Sequence, residues 1–267
     1  MTAPLVTLLS DFGLKDPYVA EMKAVISTIS PESRIIDISH SIEKFNIRMG
    51  AFVLASATRY FPKGTINVAV VDPGVGTKRR ALLVETEHAF YIGPDNGLLM
   101  LAAWRDRVRH VYAITNPKLM RPQVSATFHG RDVFAPAAAH LANGTPPADF
   151  GSEINDYAVP TFAKPFLKSG ELSGEVLHID DFGNIITNLT DKDLKKMAVK
   201  PKKLLTVKLK NKSRRMRFYT TYGDVATRNM LALIGSHDFL EIAVNQGNAS
   251  KKFKTKAGDA VTVSLKH

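Results

Sequence analysis

Four stretches of the sequence place ionisable side chains where apolar runs end. "LVTLLS" (5–10) is followed by Asp11. "INVAVV" (66–71) is followed by Asp72 and a glycine-rich turn that runs to Arg79 and Arg80. "AFYIG" (89–93) leads to Asp95 and Asn96, and "ATFHGRDVF" (126–134) carries His129, Arg131 and Asp132. Carboxylates accept protons or hydrogen bonds, imidazole can do either near neutral pH, and guanidinium stays charged. Gathered in one pocket, such groups could orient a water and stabilise charge as it develops. Asp-Pro-Gly and Asp-Asn-Gly are also ordinary turn chemistry, so each stretch alone reads as a turn.

Other chemistries lack their residues. There is no cysteine, hence no thiolate nucleophile, thiolate metal site or disulfide framework. "GVG" at 74–76 lacks the remainder of a dinucleotide fingerprint, and neither a Walker A loop nor H-E-x-x-H occurs. The Asp and His spacings match no metal signature, and no metal is expected.

The elements that must position these groups fall into two textures. Up to about residue 150, the buried-looking runs 5–10, 34–39, 66–71, 81–86 and 89–93 alternate with helical patterns over 16–30, 46–61, 96–106 and 133–144. That alternation predicts an α/β N-terminal domain (1–150) with a mostly parallel sheet. Ligands of such sheets bind beyond the carboxyl ends of the strands, where Asp11, Asp72 and Asp95 stand. Residues 145–172 hold four prolines and no clear period, and 151–172 read as a linker. From 173 to 267 short alternating runs predict a small all-β domain, a barrel or sandwich.

The chain of 267 residues is 45% hydrophobic and 23% charged, a globular composition. No apolar window is long enough for a membrane span, and the N-terminal run has no basic flank of a signal peptide, so a cytoplasmic location is expected. The net charge of +11 is concentrated at 191–217, where twelve Lys or Arg face two Asp. Such a run can bind nucleic acid. Without interleaved aromatics or an RNA-binding motif, a solvated basic face is the favoured reading and a nucleic-acid partner is not expected.

The stretches "LLSDFGLKDPYVAEMKAVI", "DISHSI", "VVDPGVGTKRR", "YIGPDNGLL", "TFHGRDVFAPAAAHLA", "IDDFGNIITN" and "LEIAVNQGNA" run from residue 8 to 249. In them the sequence resembles the S-adenosyl-L-methionine hydroxide adenosyltransferases, relatives of the fluorinases and chlorinases. The resemblance implies conversion of S-adenosyl-L-methionine and water to adenosine and L-methionine, with no cofactor beyond that substrate. It implies a catalytic set that falls on Asp72, Arg79 and His129. It implies substrate contacts at Asp11 for the ribose hydroxyls and Phe45 as an aromatic wall. Asp180 and Asn184 would serve the methionine part or ribose, together with Ser236. Glu241, Val244, Asn245 and Gln246 would lie by the adenine, where backbone groups can read the base edge. His237, beside Ser236, receives no role. The resemblance also implies a homotrimer whose sites draw on neighbouring subunits.

Two other readings stay open on the sequence. One is halide-dependent adenosyl transfer, although the halogenating relatives present a small hydroxyl residue where this chain has Gly130. The other is a non-enzymatic basic protein that binds RNA or senses an adenosyl ligand.

Overall fold

The computed structural model describes residues 3–163 and 165–265; Met1, Thr2, Lys164, Lys266 and His267 lie outside them. The chain divides into two compact units, Met1–Pro160 and Thr161–His267.

The first unit is a six-stranded sheet with helices. In chain order it comprises β1 (Leu5–Ser10), α1 (Tyr18–Ile29), β2 (Arg34–Ser39), α2 (Ile47–Ala57), β3 (Thr65–Val70), β4 (Ala81–Thr86), β5 (Ala89–Pro94), α3 (Met100–Arg105), β6 (Val108–Ala113) and α4 (Ala135–Ala142). The strand order is β2-β1-β3-β5-β4-β6. Every residue of β3 is buried, as expected of a central strand covered on both faces. Its Ile66, Val68 and Val70 join Val6 and Leu8 of β1, Met22 and Ile26 of α1, and Ala135 and Ala138 of α4 in one apolar core. α2 packs with α3 against the sheet.

The expected mostly parallel sheet is corrected to a mixed one. β2-β1, β1-β3 and β3-β5 are parallel ladders, whereas β5-β4 and β4-β6 are antiparallel. Only Glu87 and His88 separate β4 from β5. A link of two residues permits a hairpin and is far too short for a parallel crossover. Thr86 closes the hairpin: its Oγ1 donates to the Ala89 carbonyl at 2.6 Å.

The parallel half positions the site. After β1 the chain crosses to β2 on one side, and β3 then lands on the other side of β1. The carboxyl ends of β1 and β3 therefore flank a topological switch point, where open α/β sheets leave a crevice. Ser10 is in register with Val70, which sets Asp11 and the Val71–Asp72 step side by side at that end.

The second unit is an antiparallel sheet in the order β11-β10-β14-β8-β9-β13-β12. Its strands are β7 (Phe166–Lys168, an addition to β8), β8 (Glu171–Ile179), β9 (Ile185–Thr190), β10 (Leu204–Leu209), β11 (Lys212–Arg217), β12 (Met230–Ile234), β13 (Phe239–Val244) and β14 (Ala260–Leu265). Short helices α5 (Asp191–Lys196) and α6 (Ala249–Phe253) interrupt them. A bridge between Phe218 and Ala232 brings the two ends of the sheet together, so it is nearly a barrel. Alternate residues such as Leu205, Val207 and Leu209, with Leu240, Ile242, Val261 and Val263, fill its core.

Candidate active site

Asp72, Arg79 and His129 form one cluster. Arg79 Nε donates to Asp72 Oδ1 at 3.0 Å, and its Nη2 donates to Asp72 Oδ2. The same Nη2 lies 2.8 Å from His129 Nδ1. The Arg79 guanidinium sits 5.3 Å over the ring of Phe134, which is fully buried. A paired, planar fork against an aromatic ring holds Asp72 by two bonds in a poorly hydrated setting.

Local sequence explains how the cluster forms. The 72–79 segment is folded on itself: Thr77 Oγ1 donates to the Gly74 carbonyl at 2.7 Å, and the Thr77 N–H does so at 3.1 Å. Gly76 has φ +75, and a Cβ there would stand 2.3 Å from the Ala126 carbonyl oxygen. Only glycine lets this turn touch the segment that leads to His129. His129 itself precedes a π-helical turn, Gly130–Phe134, that runs into α4. Such turns are rare and recur at functional sites. Buried Asp132 anchors the approach, accepting from the Ser125 N–H at 2.9 Å and from Arg131 Nε at 2.7 Å. Arg131 also bonds Glu21 on α1 at 2.9 Å. Arg131 and Asp132 are thus structural partners that tie the 125–132 segment to itself and to α1.

The hydrogen bond from Arg79 settles the tautomer of His129. A guanidinium only donates, so Nδ1 must be an unprotonated acceptor and the ring proton sits on Nε2. Burial pushes the imidazole pKa below its ordinary 6.5, and the Arg79 charge pushes it the same way. His129 is therefore neutral near pH 7 and can only donate from Nε2 while the bond to Arg79 lasts. Asp72 is the one anion among the three. The cluster can hold a water between an N–H donor and a carboxylate acceptor.

Asp11 is buried at the end of β1. Its Oδ2 accepts from the Phe45 N–H at 2.9 Å, and its carbonyl accepts from Lys44 Nζ. Phe45 has φ 63 and is 68% exposed, so its ring is held outward by a left-handed backbone.

In the second unit, Asp180 Oδ1 accepts from the Asn184 N–H at 2.8 Å and Oδ2 from Asn184 Nδ2 at 2.9 Å. Asp180, not Asp181, closes this turn. Gly183 has φ +82 and lies against the Asn248 side chain, and the Ser250 N–H donates to its carbonyl at 3.0 Å. The 180–184 turn and the turn after β13 are thereby joined. That second turn holds Asn245, whose Nδ2 donates to the Val225 carbonyl at 2.8 Å, and exposed Gln246 at φ 52. Val244 is buried at the end of β13. Glu241, buried on the same strand, accepts from the Tyr222 hydroxyl. Burial raises the Glu241 pKa, and the Asp180 charge adds to the rise. Ser236 lies in the turn before β13, the opposite end from Asn245 and Gln246. Nothing in the sequence marks Tyr222 as the partner of Glu241; they are nineteen residues apart.

The SAM hydroxide adenosyltransferase N-terminal domain matches residues 6–151, and the C-terminal domain of that family matches residues 174–262. The (R)-S-adenosyl-L-methionine hydrolase of Thermus thermophilus is 40% identical, covering 95% of this chain and 96% of its own length. The Salinispora tropica enzyme of that name is 36% identical over 98% of each chain. A fluorinase from an Actinoplanes species is more distant, at 28% identity over 98% and 97%. Among solved structures, an uncharacterized conserved protein from Thermotoga maritima has a TM-score of 0.87 at 39% identity, with 97% of this chain and 99% of that one covered. With both domains matched in order, the chain belongs to the SAM hydroxide adenosyltransferase family.

Proposed function

We propose that this protein hydrolyses S-adenosyl-L-methionine to adenosine and L-methionine. Water attacks C5′ of the adenosyl group, the C5′–S bond breaks, and the sulfonium leaves as the neutral thioether of methionine. One proton is released, and no general acid is needed at sulfur. The observation that carries this reading is the Asp72–Arg79–His129 cluster at the sheet's switch point, in a chain 40% identical to an (R)-S-adenosyl-L-methionine hydrolase.

The difficulty lies in the nucleophile, since free water has a pKa of about 15.7. His129 Nε2–H would hold the water oxygen, and Asp72 would accept the departing proton or its hydrogen bond. Arg79 would keep both partners in place and stabilise hydroxide character. Attack by hydroxide on a sulfonium neutralises charge, so a poorly hydrated setting favours the reaction. We assign no metal or organic cofactor to the step. The support is that the Arg79 guanidinium already places a fixed positive charge against Asp72 and His129.

In this reading Asp11 receives the ribose, Phe45 gives an aromatic wall, Asp180 and Asn184 receive the ribose or methionine part, and Ser236 also contacts the substrate. Glu241, Val244, Asn245 and Gln246 receive the adenine. The protein acts as a cytoplasmic homotrimer with sites shared between subunits. Mixing an Asp72→Asn variant with an Asn184 variant under subunit exchange would then restore part of the activity.

The deciding experiment is incubation with S-adenosyl-L-methionine in labelled water, with and without exhaustive chelation. Adenosine carrying the label at its 5′ oxygen, formed with and without chelator, is the expected outcome. A halogenated adenosine formed only with halide would favour the transferase reading. Absence of any product would sink the hydrolase.

A further inference from the structure

The Asp95–Asn96 pair and Arg80 have no part in the chemistry above, yet they hold both ends of the turn that carries it. At the entry, Asn96 Nδ2 donates to the Val71 carbonyl at 2.9 Å, one residue before Asp72. Asn96 is itself fixed, because its Oδ1 accepts from the Leu98 N–H at 3.1 Å. At the exit, the Asp95 N–H donates to the Arg80 carbonyl at 2.9 Å, one residue after Arg79. Arg80 Nε returns a bond to Asp95 Oδ2 at 2.9 Å, and Asp95 Oδ1 accepts from the Ala158 N–H at 2.7 Å. Adjacent residues of one rigid turn after β5 therefore grip the backbone on each side of Asp72 and Arg79.

We propose that Asp95, Asn96 and Arg80 are positioning residues that set the Asp72–Arg79–His129 geometry by clamping both ends of the 72–79 turn; this rests on the assignment of that cluster as catalytic. The turn needs such a device. Its few internal hydrogen bonds span residues 72–79, its glycines permit many backbone states, and Thr77 and Lys78 are exposed. A two-bond fork such as Arg79–Asp72 is useful only if the two backbones that carry it stay in register. Misplacement of a reacting group by about 1 Å can cost on the order of a hundredfold in rate.

The clamp is graded by burial. The Asp95 side chain is only 7% exposed, so its bonds to Arg80 and Ala158 are poorly screened. Arg80 also reaches Asp156 at 2.7 Å, but Asp156 is 80% exposed, and a pair so open to water contributes little. The work falls on Asp95 and Asn96, and Asp156→Ala is expected to leave kcat within about twofold.

The test combines kinetics with a readout that needs no turnover. Asp95→Asn and Asn96→Ala should each lower kcat on the order of tenfold to a hundredfold, with KM within about twofold. In both, the His129 Nδ1 nitrogen resonance should move, because the Arg79 bond to that atom is disturbed. In an Arg79→Ala background Asp95→Asn should cause no further loss of kcat, and in an Asp72→Asn background Asn96→Ala should cause none, since each acts through the catalytic residue beside the bond it removes. Arg80→Lys, which keeps the charge but not the fork, gives a milder version where the other variants fold poorly. Folded variants with unchanged kcat and an unchanged Nδ1 resonance overturn the clamp. So does an equal further loss in those matched backgrounds, which marks an independent structural effect. If the wild-type protein does not hydrolyse S-adenosyl-L-methionine, that reading fails alone. The Nδ1 resonance then decides the clamp, by moving or by staying.

Discussion

In the first unit the candidate catalytic side chains form one charged cluster; in the second the candidate binding side chains brace the turns and loops around them. Arg79 spends its donors on Asp72 and His129. Asp180 instead spends both oxygens on Asn184, and Asn245 spends its amide on the Val225 carbonyl. The contrast separates two ways of making a site. A charge cluster tuned by its members is built for reactivity and fails when any member is lost. Turns braced by their side chains present backbone groups and shape, and fail gradually.

The largest effect that contrast predicts is in the first unit. Asp72→Asn and Arg79→Ala should each reduce kcat by roughly 10²- to 10⁴-fold, while circular dichroism and Tm show a folded protein. Adenosine affinity, measured by calorimetry, should stay within about threefold, because neither group is assigned to base or sugar. A folded Asp72→Asn enzyme of normal kcat would erase the distinction between the units.

A second prediction concerns pH. His129 acts as a neutral donor, and its pKa is lowered, first by burial and then by Arg79. The acid limb of kcat should therefore lie below pH 6.5, and should move when Arg79→Ala removes the nearby charge. Stability follows the same sign. The folded pKa is below the unfolded one, so the unfolded chain binds more protons in that window. His129's contribution is complete above pH 6.5 and is lost as pH falls through its folded pKa. A pH-rate profile with no acid limb from this residue, compared with His129→Ala, would deny it the role.

How much of this could be read beforehand differs between the units as well. β1 and β4 stand where their apolar runs are, because buried strands of an α/β sheet write themselves as unbroken aliphatic stretches; β2 also stands at its run, although it is an edge strand with no buried residue. The antiparallel β4–β5 hairpin is legible in the two-residue gap at Glu87–His88, which no parallel crossover can span. β6 left little trace, since Val108–Ala113 opens with exposed Arg109 and His110 on an edge strand. α5 buries only Leu194, and its start is written in the capping box of Thr190 and Asp193, not in any apolar period. Asp72 stands at a strand end, whereas His129 follows no strand and leads into the π-helical turn; their meeting depends on Gly76 passing close to Ala126, a contact that spans fifty residues. Asp95 and Asn96 looked like a turn and are one; their grip on Val71 and Arg80 needed the sheet order.

The third prediction sharpens the second unit. Tyr222→Phe removes the donor to buried Glu241 and leaves a carboxyl group short of a partner. That should cost about 1–3 kcal/mol of stability, read from urea unfolding, with kcat nearly unchanged. A kcat loss as large as that of Arg79→Ala would place the Tyr222–Glu241 pair in the chemistry and blur the comparison.

The smallest effect is the most direct test of binding by backbone. Gln246 is exposed and sits at φ 52, in the turn proposed to meet the adenine edge. If its backbone does the binding, the side chain is dispensable, and Gln246→Gly should keep KM within about twofold. Glycine relieves the left-handed cost of about 1 kcal/mol but frees the unfolded chain by a similar amount, so stability should barely move. Gln246→Val retains a side chain yet resists positive φ, and should cost stability of about 1 kcal/mol or more and raise KM. The pair thus separates backbone shape from side-chain chemistry at one position. Should Gln246→Gly raise KM tenfold while Gln246→Val does not, the side chain itself contacts substrate, and the second unit binds as the first one reacts, by its side chains.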